Sequence, residues 1–311
     1  MMASFTNQLQ AWRGQIRPTV LLALLATYII WGTTYLGIRF VVEAVPPFLM
    51  AGSRFLVAGV ILFGILLVRG QRVPGWRAWG SSAIVALFML GGGMGLVAYA
   101  EALGVSSSLA AALIATMPLW SAIFARWLGR KVSRRDWVGI LVGFGGVALL
   151  NLEGDLRANP LGAIALFLSP LFWALGSQLS HRLEMPDGEM GTATEMLCGS
   201  VLLLGWSALS GERIPELATI PWSAWAAWIY LIVFGSLIAF SAYMYLLRNV
   251  RPALATSYAY VNPLVALGAG FALADERVSW IGLIGIGVIL GAVAFIALSR
   301  GERGNSGGSS T

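Results

Sequence analysis

The sequence is poor in the groups that most soluble chemistry uses. It holds one cysteine, Cys198, and one histidine, His181, in 311 residues. A lone cysteine excludes an internal disulfide and a cysteine metal cluster, and a lone histidine excludes the common multi-histidine metal sites. Charge is scarce as well. Only 11% of the residues are charged, where soluble domains carry about 25%. Twenty basic and fourteen acidic side chains cannot cover the water-facing surface of a chain this long. The shortage of carboxylates inside the apolar runs also argues against an integral-membrane enzyme, which needs clustered acids, histidines or metal ligands. No cofactor and no metal are expected.

What is present is apolar. Hydrophobic residues make up 58% of the chain, and the mean hydropathy is +0.79. Ten apolar runs stand out, at about 19–38, 47–68, 78–98, 106–126, 137–151, 160–181, 190–210, 222–246, 252–274 and 279–298. A membrane span takes about 20 residues, so ten spans leave no room for a soluble domain. In lipid every backbone polar group must be satisfied within its own segment, which makes these runs helices. The fold class expected is therefore an all-α membrane protein of ten transmembrane helices. The first run is long enough to span, and no small-residue cleavage pattern follows it, so it reads as a span and not as a cleaved signal.

The net charge of +6 and pI near 9.9 would suggest nucleic acid in a soluble chain. Here the basic residues instead sort by loop. Fifteen fall in the N-terminus, the even-numbered loops and the C-terminus, and four (Arg39, Arg157, Arg213 and Arg277) in the odd-numbered loops. That bias puts both termini in the cytoplasm, with lipid and not nucleic acid as the surrounding partner. Tryptophans at span ends, such as Trp76, Trp137, Trp222 and Trp280, fit interfacial belts.

An internal repeat divides the chain. Ala98-Tyr99-Ala100-Glu101-Ala102-Leu103-Gly104-Val105 resembles the stretch from Ala242-Tyr243 to Asn249-Val250. Thr116-Met117-Pro118-Leu119 matches Val261-Asn262-Pro263-Leu264, and Trp31-Gly32 pairs with Trp173-Ala174. With Val132-Ser133 matching Val278-Ser279, the offsets are 142 to 146 residues, so each copy contains five helices. An odd number makes the second copy enter the membrane from the opposite side, the inverted-topology repeat of secondary transporters. The expected organisation is a cytoplasmic segment 1–18, a first five-helix repeat 19–151, a connector 152–159 on the far side, a second repeat 160–298 and a disordered cytoplasmic tail 299–311.

Several motifs together resemble the EamA-type branch of the drug/metabolite transporter superfamily, most closely the YddG-like amino-acid exporters. They are Trp31-Gly32 with Arg39, Arg54-Phe55-Leu56 with Ala58, the Pro118 and Pro263 helices each followed by a Gly-rich helix, and the acidic pair Asp275-Glu276. The first copy departs from the family at Gly129-Arg130-Lys131, where no acid stands. The resemblance implies a bacterial inner-membrane exporter of amino acids, aromatic ones included. Drugs or other small metabolites are the alternative cargo.

Candidate site residues follow from depth and chemistry. Pro118 and Pro263 lie about halfway along their spans, and each removes a helical hydrogen bond. Interrupted helices at matching places in two halves mark transporter binding sites, although a proline can also be a plain packing kink. Pro170 adds a third irregularity. Trp31, Thr116, Trp173, Tyr258, Tyr260 and Asn262 lie near that level and suit an amphiphilic zwitterion. Tyr99 and Tyr243 close the third and eighth spans and are candidate gates, or interfacial anchors. Arg54 and Glu195 are the charges clearly inside spans, at nearly equivalent repeat positions, and are read as structural charges; such residues are functional candidates by default. The glycines of spans 5 and 10, such as Gly143, Gly146, Gly285 and Gly287, are expected to pack helices together, within the fold or across a homodimer.

Overall fold

The computed structural model describes residues 18–127, 134–150, 152, 157, 159–250 and 257–306, and every regular element among them is helical. α1 spans Pro18–Val42 and α2 Pro47–Val68. α3 begins as Trp76–Ala86, passes through a π-helical segment, Leu87–Gly95, and ends as Leu96–Ala102. α4 is broken into Ser107–Ile114 and Met117–Trp127. α5 is Arg134–Leu150, α6 Pro160–Ser180 and α7 Glu189–Leu209. α8 repeats the plan of α3, as Trp222–Tyr230, a π-helical Leu231–Ile238 and Ala239–Asn249. α9 is Tyr258–Ala274 and α10 Trp280–Ser306. α10 runs past residue 298, where the apolar run ends. Residues 1–17 and 307–311 lie outside the described residues.

Seven of these helices are long and apolar enough to cross a membrane, and Trp137–Leu150, Val261–Ala274 and Trp280–Ala292 are shorter apolar helices. Large apolar side chains such as Leu22, Val60, Leu141, Val201 and Phe271 stand exposed around the bundle. A perimeter of that kind exceeds what a soluble monomer shows.

Local sequence explains where the helices begin and end. Prolines open α2 and α6, where a fixed φ favours the helix and the missing N–H is not needed. α9 ends on Asp275 in the left-handed region, with φ 49°. That turn brings the Glu276 N–H back to the Gly270 carbonyl at 3.1 Å, a C-terminal closure that Asp tolerates better than most residues.

Equivalent helices of the two halves pair in a matching way. α2 packs along α7 and α5 along α10, while α1 lies against α8 and α9 as α6 lies against α3 and α4. Glycines allow the close approach. A Cβ at Gly59 would sit 3.0 Å from the Leu197 side chain of α7, and one at Gly146 would sit 3.0 Å from the Gly285 carbonyl of α10. Gly143, Gly146 and Gly285 are therefore used for contact inside the chain. At Gly145, Gly287 and Gly291 a Cβ would have no neighbour within 4 Å among the described residues.

Candidate functional site

The symmetric pairing leaves a partly enclosed cavity between the halves. α1 contributes Trp31, Thr34 and Tyr35, α2 Arg54 and Phe55, and α3 Gly93, Met94 and Val97. The break in α4 supplies Ile114, Ala115 and Met117. From the second half come Ser169 and Trp173 of α6, Phe240 of α8, and Tyr258, Ala259 and Asn262 of α9. Both repeats thus build one chamber, and its walls are mostly apolar and aromatic, as small-molecule sites are.

The π-helical segments shape two of these walls. π-bulges recur at functional sites because they shift side chains and loosen the backbone ladder. In each segment the carbonyl of a glycine accepts a side-chain hydrogen bond from the facing helix. Trp31 Nε1 donates to the Gly235 carbonyl at 3.1 Å, and Ser169 Oγ donates to the Gly93 carbonyl at 2.8 Å. The two glycines are 142 positions apart, as are Trp31 and Trp173. The match is incomplete. Ser169 occupies the Gly93 carbonyl, and the Trp173 indole N–H, although buried, has no partner among the described residues.

An aromatic cluster stands at one end of the chamber. The Trp31 ring lies 5.7 Å from Phe240, 5.1 Å from Tyr243 and 4.9 Å from Tyr258, mostly edge to face, the arrangement ring quadrupoles favour. Asn262 is buried beside it. With its NH2 turned toward them, its amide donates to the carbonyls of Tyr28 at 3.2 Å and Tyr258 at 3.1 Å, an orientation assigned from the hydrogen-bond network.

Arg54 is the formal charge on the wall. It is 3% exposed, its Nε donates to Ser236 Oγ at 2.8 Å, and its guanidinium carbon lies 5.1 Å from the centre of the Phe55 ring. Ser236 is in the π segment of α8, so this contact ties α2 to that bend. No carboxylate pairs with Arg54 among the described residues.

A second polar network lies where α1 and α9 end and α4 begins. Arg39 Nη1 donates to Glu276 Oε1 at 2.5 Å. The same carboxylate accepts from the Ser107 N–H at 2.9 Å and hydroxyl at 2.8 Å, and from the Ser108 N–H at 3.1 Å and hydroxyl at 2.6 Å. Glu276 therefore caps the start of α4 while pairing with α1. Burial alone would raise its carboxyl, but the bonds from Ser108 and Ser107 outweigh that and hold it below its ordinary value.

These placements answer the sequence expectations one by one. Trp31, Trp173, Tyr258 and Asn262 line the chamber. Thr116 does not; it is buried in the break of α4 with its hydroxyl donating to the Leu113 carbonyl at 2.7 Å. The Tyr260 side chain lies outside the described residues. At Pro118 the interruption is a break and not a bend: α4 opens at Ala115–Thr116 and restarts at Met117, one residue before the proline, in the turn where the proline removes a hydrogen bond. Pro170 and Pro263 do sit inside helices. Tyr243 is buried at 4% inside the aromatic cluster, so it is not an interfacial anchor. Tyr99 is half-buried and stacks on Phe48, 5.8 Å between ring centres. Glu195 is buried on α7 with Oε1 unpartnered among the described residues, and it does not pair with Arg54. Sequence reasoning missed the Arg39–Glu276–serine network and the twin π segments. The triplet Gly91-Gly92-Gly93 and the single Gly235 were the available signals for the latter.

Comparison with known proteins agrees with the duplicated architecture. The EamA-like transporter family matches residues 18–152 and again residues 160–298. The chain belongs to the EamA-like transporter family. It is 45% identical over 278 residues to the Escherichia coli K12 protein described as "Uncharacterized inner membrane transporter YedA", covering 89% of this chain and 90% of that one. Protein PecM of Dickeya dadantii is 28% identical over 277 residues, covering 86% of this chain and 88% of its own. A solved crystal structure aligns over 90% of this chain and 97% of its own with a TM-score of 0.62 at 20% identity, a likeness of fold alone. This EamA-family chain is a polytopic membrane transporter, and its two family matches meet at the chamber.

Proposed function

We propose that this transporter exports amino acids, neutral and aromatic ones included, across the bacterial inner membrane by alternating access. In this reading the chain crosses the membrane ten times as two inverted five-helix halves, with both termini in the cytoplasm. The observation that carries it is the chamber itself: its wall draws on α1, α2, α3 and α4 of one repeat and α6, α8 and α9 of the other, so rocking one half against the other moves its mouth from one face to the opposite one. Aromatic walls suit a neutral or aromatic side chain, and the polar groups at Thr34, Ser169 and Asn262 suit a small zwitterion. The inner membrane is the location named for the Escherichia coli relative.

The Arg39–Glu276–serine network supplies one closed gate. By the distribution of basic residues it stands on the periplasmic side, where it clasps α1 and the α9–α10 turn to the start of α4. Export requires it to open. The largely apolar lining also favours a second reading, export of apolar metabolites or drugs. Flux in proteoliposomes separates the two. Reconstituted protein is expected to exchange radiolabelled neutral and aromatic amino acids; movement of apolar amines with no amino-acid flux supports the second reading and overturns the first.

A further inference from the structure

We propose that Arg54 is the anchor for a carboxylate on the transported molecule, so that the chamber selects amino acids and related organic acids and rejects cations. The inference rests on the transport reading and narrows its substrate class.

Four observations carry it. Arg54 lines the chamber and is 3% exposed. It is the only formal charge on that wall among the described residues, and no Asp or Glu side chain lies there to neutralise it. Its side chain is held at one point, through Nε to Ser236 Oγ at 2.8 Å, with no ion pair to a carboxylate among the described residues. Its tip is also placed by packing, since Nη2 lies where Gly235 carries no side chain and a Cβ there would be 2.9 Å away.

A guanidinium is always charged and carries five N–H donors in a planar fork. With Nε engaged by Ser236, the donors on Nη1 and Nη2 remain for a ligand, and two parallel N–H groups match a carboxylate. A charge inside a membrane protein is costly and pairs with a counter-ion or serves function. Here the missing counter-ion is the substrate's own carboxylate. The ammonium group of a zwitterion meets no acid, but Trp31, Trp173 and Tyr258 offer ring faces that attract a cation. A molecule carrying only positive charge meets Arg54 unpaired in a poorly screened space and is repelled.

The test uses the full-length protein, purified and reconstituted. Counterflow is measured for radiolabelled phenylalanine and leucine, with unlabelled phenylalanine, phenylalaninamide, phenethylamine and phenylpyruvate as competitors. The wild type is expected to be inhibited by the two carboxylates and about 30- to 100-fold less by the amide and the amine, as removal of one partner of a charged pair predicts. In Arg54→Gln the flux falls, and the preference for acid over amide collapses to within a few-fold. Arg54→Lys restores part of it. Ser236→Ala removes the tether but keeps the charge, so it retains the preference; a merely structural Arg54 would leave the acid-to-amide ratio unchanged in every variant. If Arg54→Gln does not fold, the competitor panel on the wild type decides alone. Equal inhibition by acid and amide overturns the anchor while leaving amino-acid export standing. Protection of the purified wild type against thermal unfolding by phenylpyruvate but not by phenethylamine, without flux of any amino acid, supports the anchor and overturns the export reading.

Discussion

Glu276 and Glu101 are both almost fully buried, at 6% and 3% exposure, yet their surroundings are opposite. Glu276 is met by a guanidinium, two backbone N–H groups and two hydroxyls, whereas neither oxygen of Glu101 has a partner among the described residues. Removing a satisfied buried acid leaves its donors stranded, so Glu276→Ala should cost about 2 kcal/mol in the detergent-solubilised protein. Glu101→Met keeps the volume and strands nothing, and should leave thermal stability unchanged or raise it. A large loss in Glu101→Met, seen by thermal unfolding, would show a partner that the packing does not reveal. The pH dependence has a definite sign. Because the Glu276 carboxyl titrates below its ordinary value of 4.5, its contribution is complete above that value and is lost as pH falls through the lowered one. The stability gap between wild type and Glu276→Gln should therefore be constant near neutrality and close in acid. A gap that instead widens in acid contradicts the assignment. The acidic pair was visible in the sequence, but its use was not: its partners are 168 to 237 residues away, and no local spacing encodes them. Thr116 fell short for a related reason, since depth along a span was legible and the direction of its side chain was not.

At the scale of elements, the matched π segments and glycine contacts give the helices their pairing. The expectation that glycines in spans 5 and 10 pack helices was legible from composition, but which glycines touch which neighbour depends on helix rotation. That rotation separates adjacent residues cleanly. A Cβ at Gly146 would press on backbone atoms, the Gly285 carbonyl and the Ile289 nitrogen, both at 3.0 Å, while Gly145 has nothing within 4 Å. Gly146→Ala should lower stability by about 1–3 kcal/mol as overpacking does, and Gly145→Ala should be neutral or slightly stabilising, as alanine is in a helix. Equal effects at the two positions, measured by thermal unfolding, would contradict the α5–α10 contact. Gly235→Ala tests the bend itself. Its Cβ would crowd Arg54 Nη2 and Thr34 Cγ2, both at 2.9 Å, and because the arginine tip can yield, flux should fall more than stability does. The proline pair was legible as an irregularity in each half, and α4 breaks at Ala115–Thr116, within the turn where Pro118 lacks the N–H for the Ile114 carbonyl; that α9 continues through Pro263 was not legible.

The whole molecule follows from its duplication. Low charge and ten apolar runs were enough to predict an all-helical membrane protein, and offsets of 142 to 146 residues were enough to divide it. The chamber was less legible, because it exists only after α1 of one half meets α8 and α9 of the other. Sequence placed Trp31 and Trp173 at matching positions, and the fold brings both to the chamber while giving their indole N–H groups different fates. Sequence also set Arg54 apart as a structural charge; the fold puts it on the chamber wall beside the bend of α8. A scarcity of ionisable groups thereby turns into selectivity, since a single cation dominates the field of an apolar space. The most direct test of this account is counterflow of radiolabelled phenylalanine into proteoliposomes holding the full-length protein. The account predicts saturable, protein-dependent exchange that competes with other neutral amino acids and falls at least tenfold in Trp173→Ala and in Arg54→Gln at equal amounts of folded protein. Folded wild-type protein that exchanges no amino acid, or variants that exchange as fast as the wild type, would contradict it.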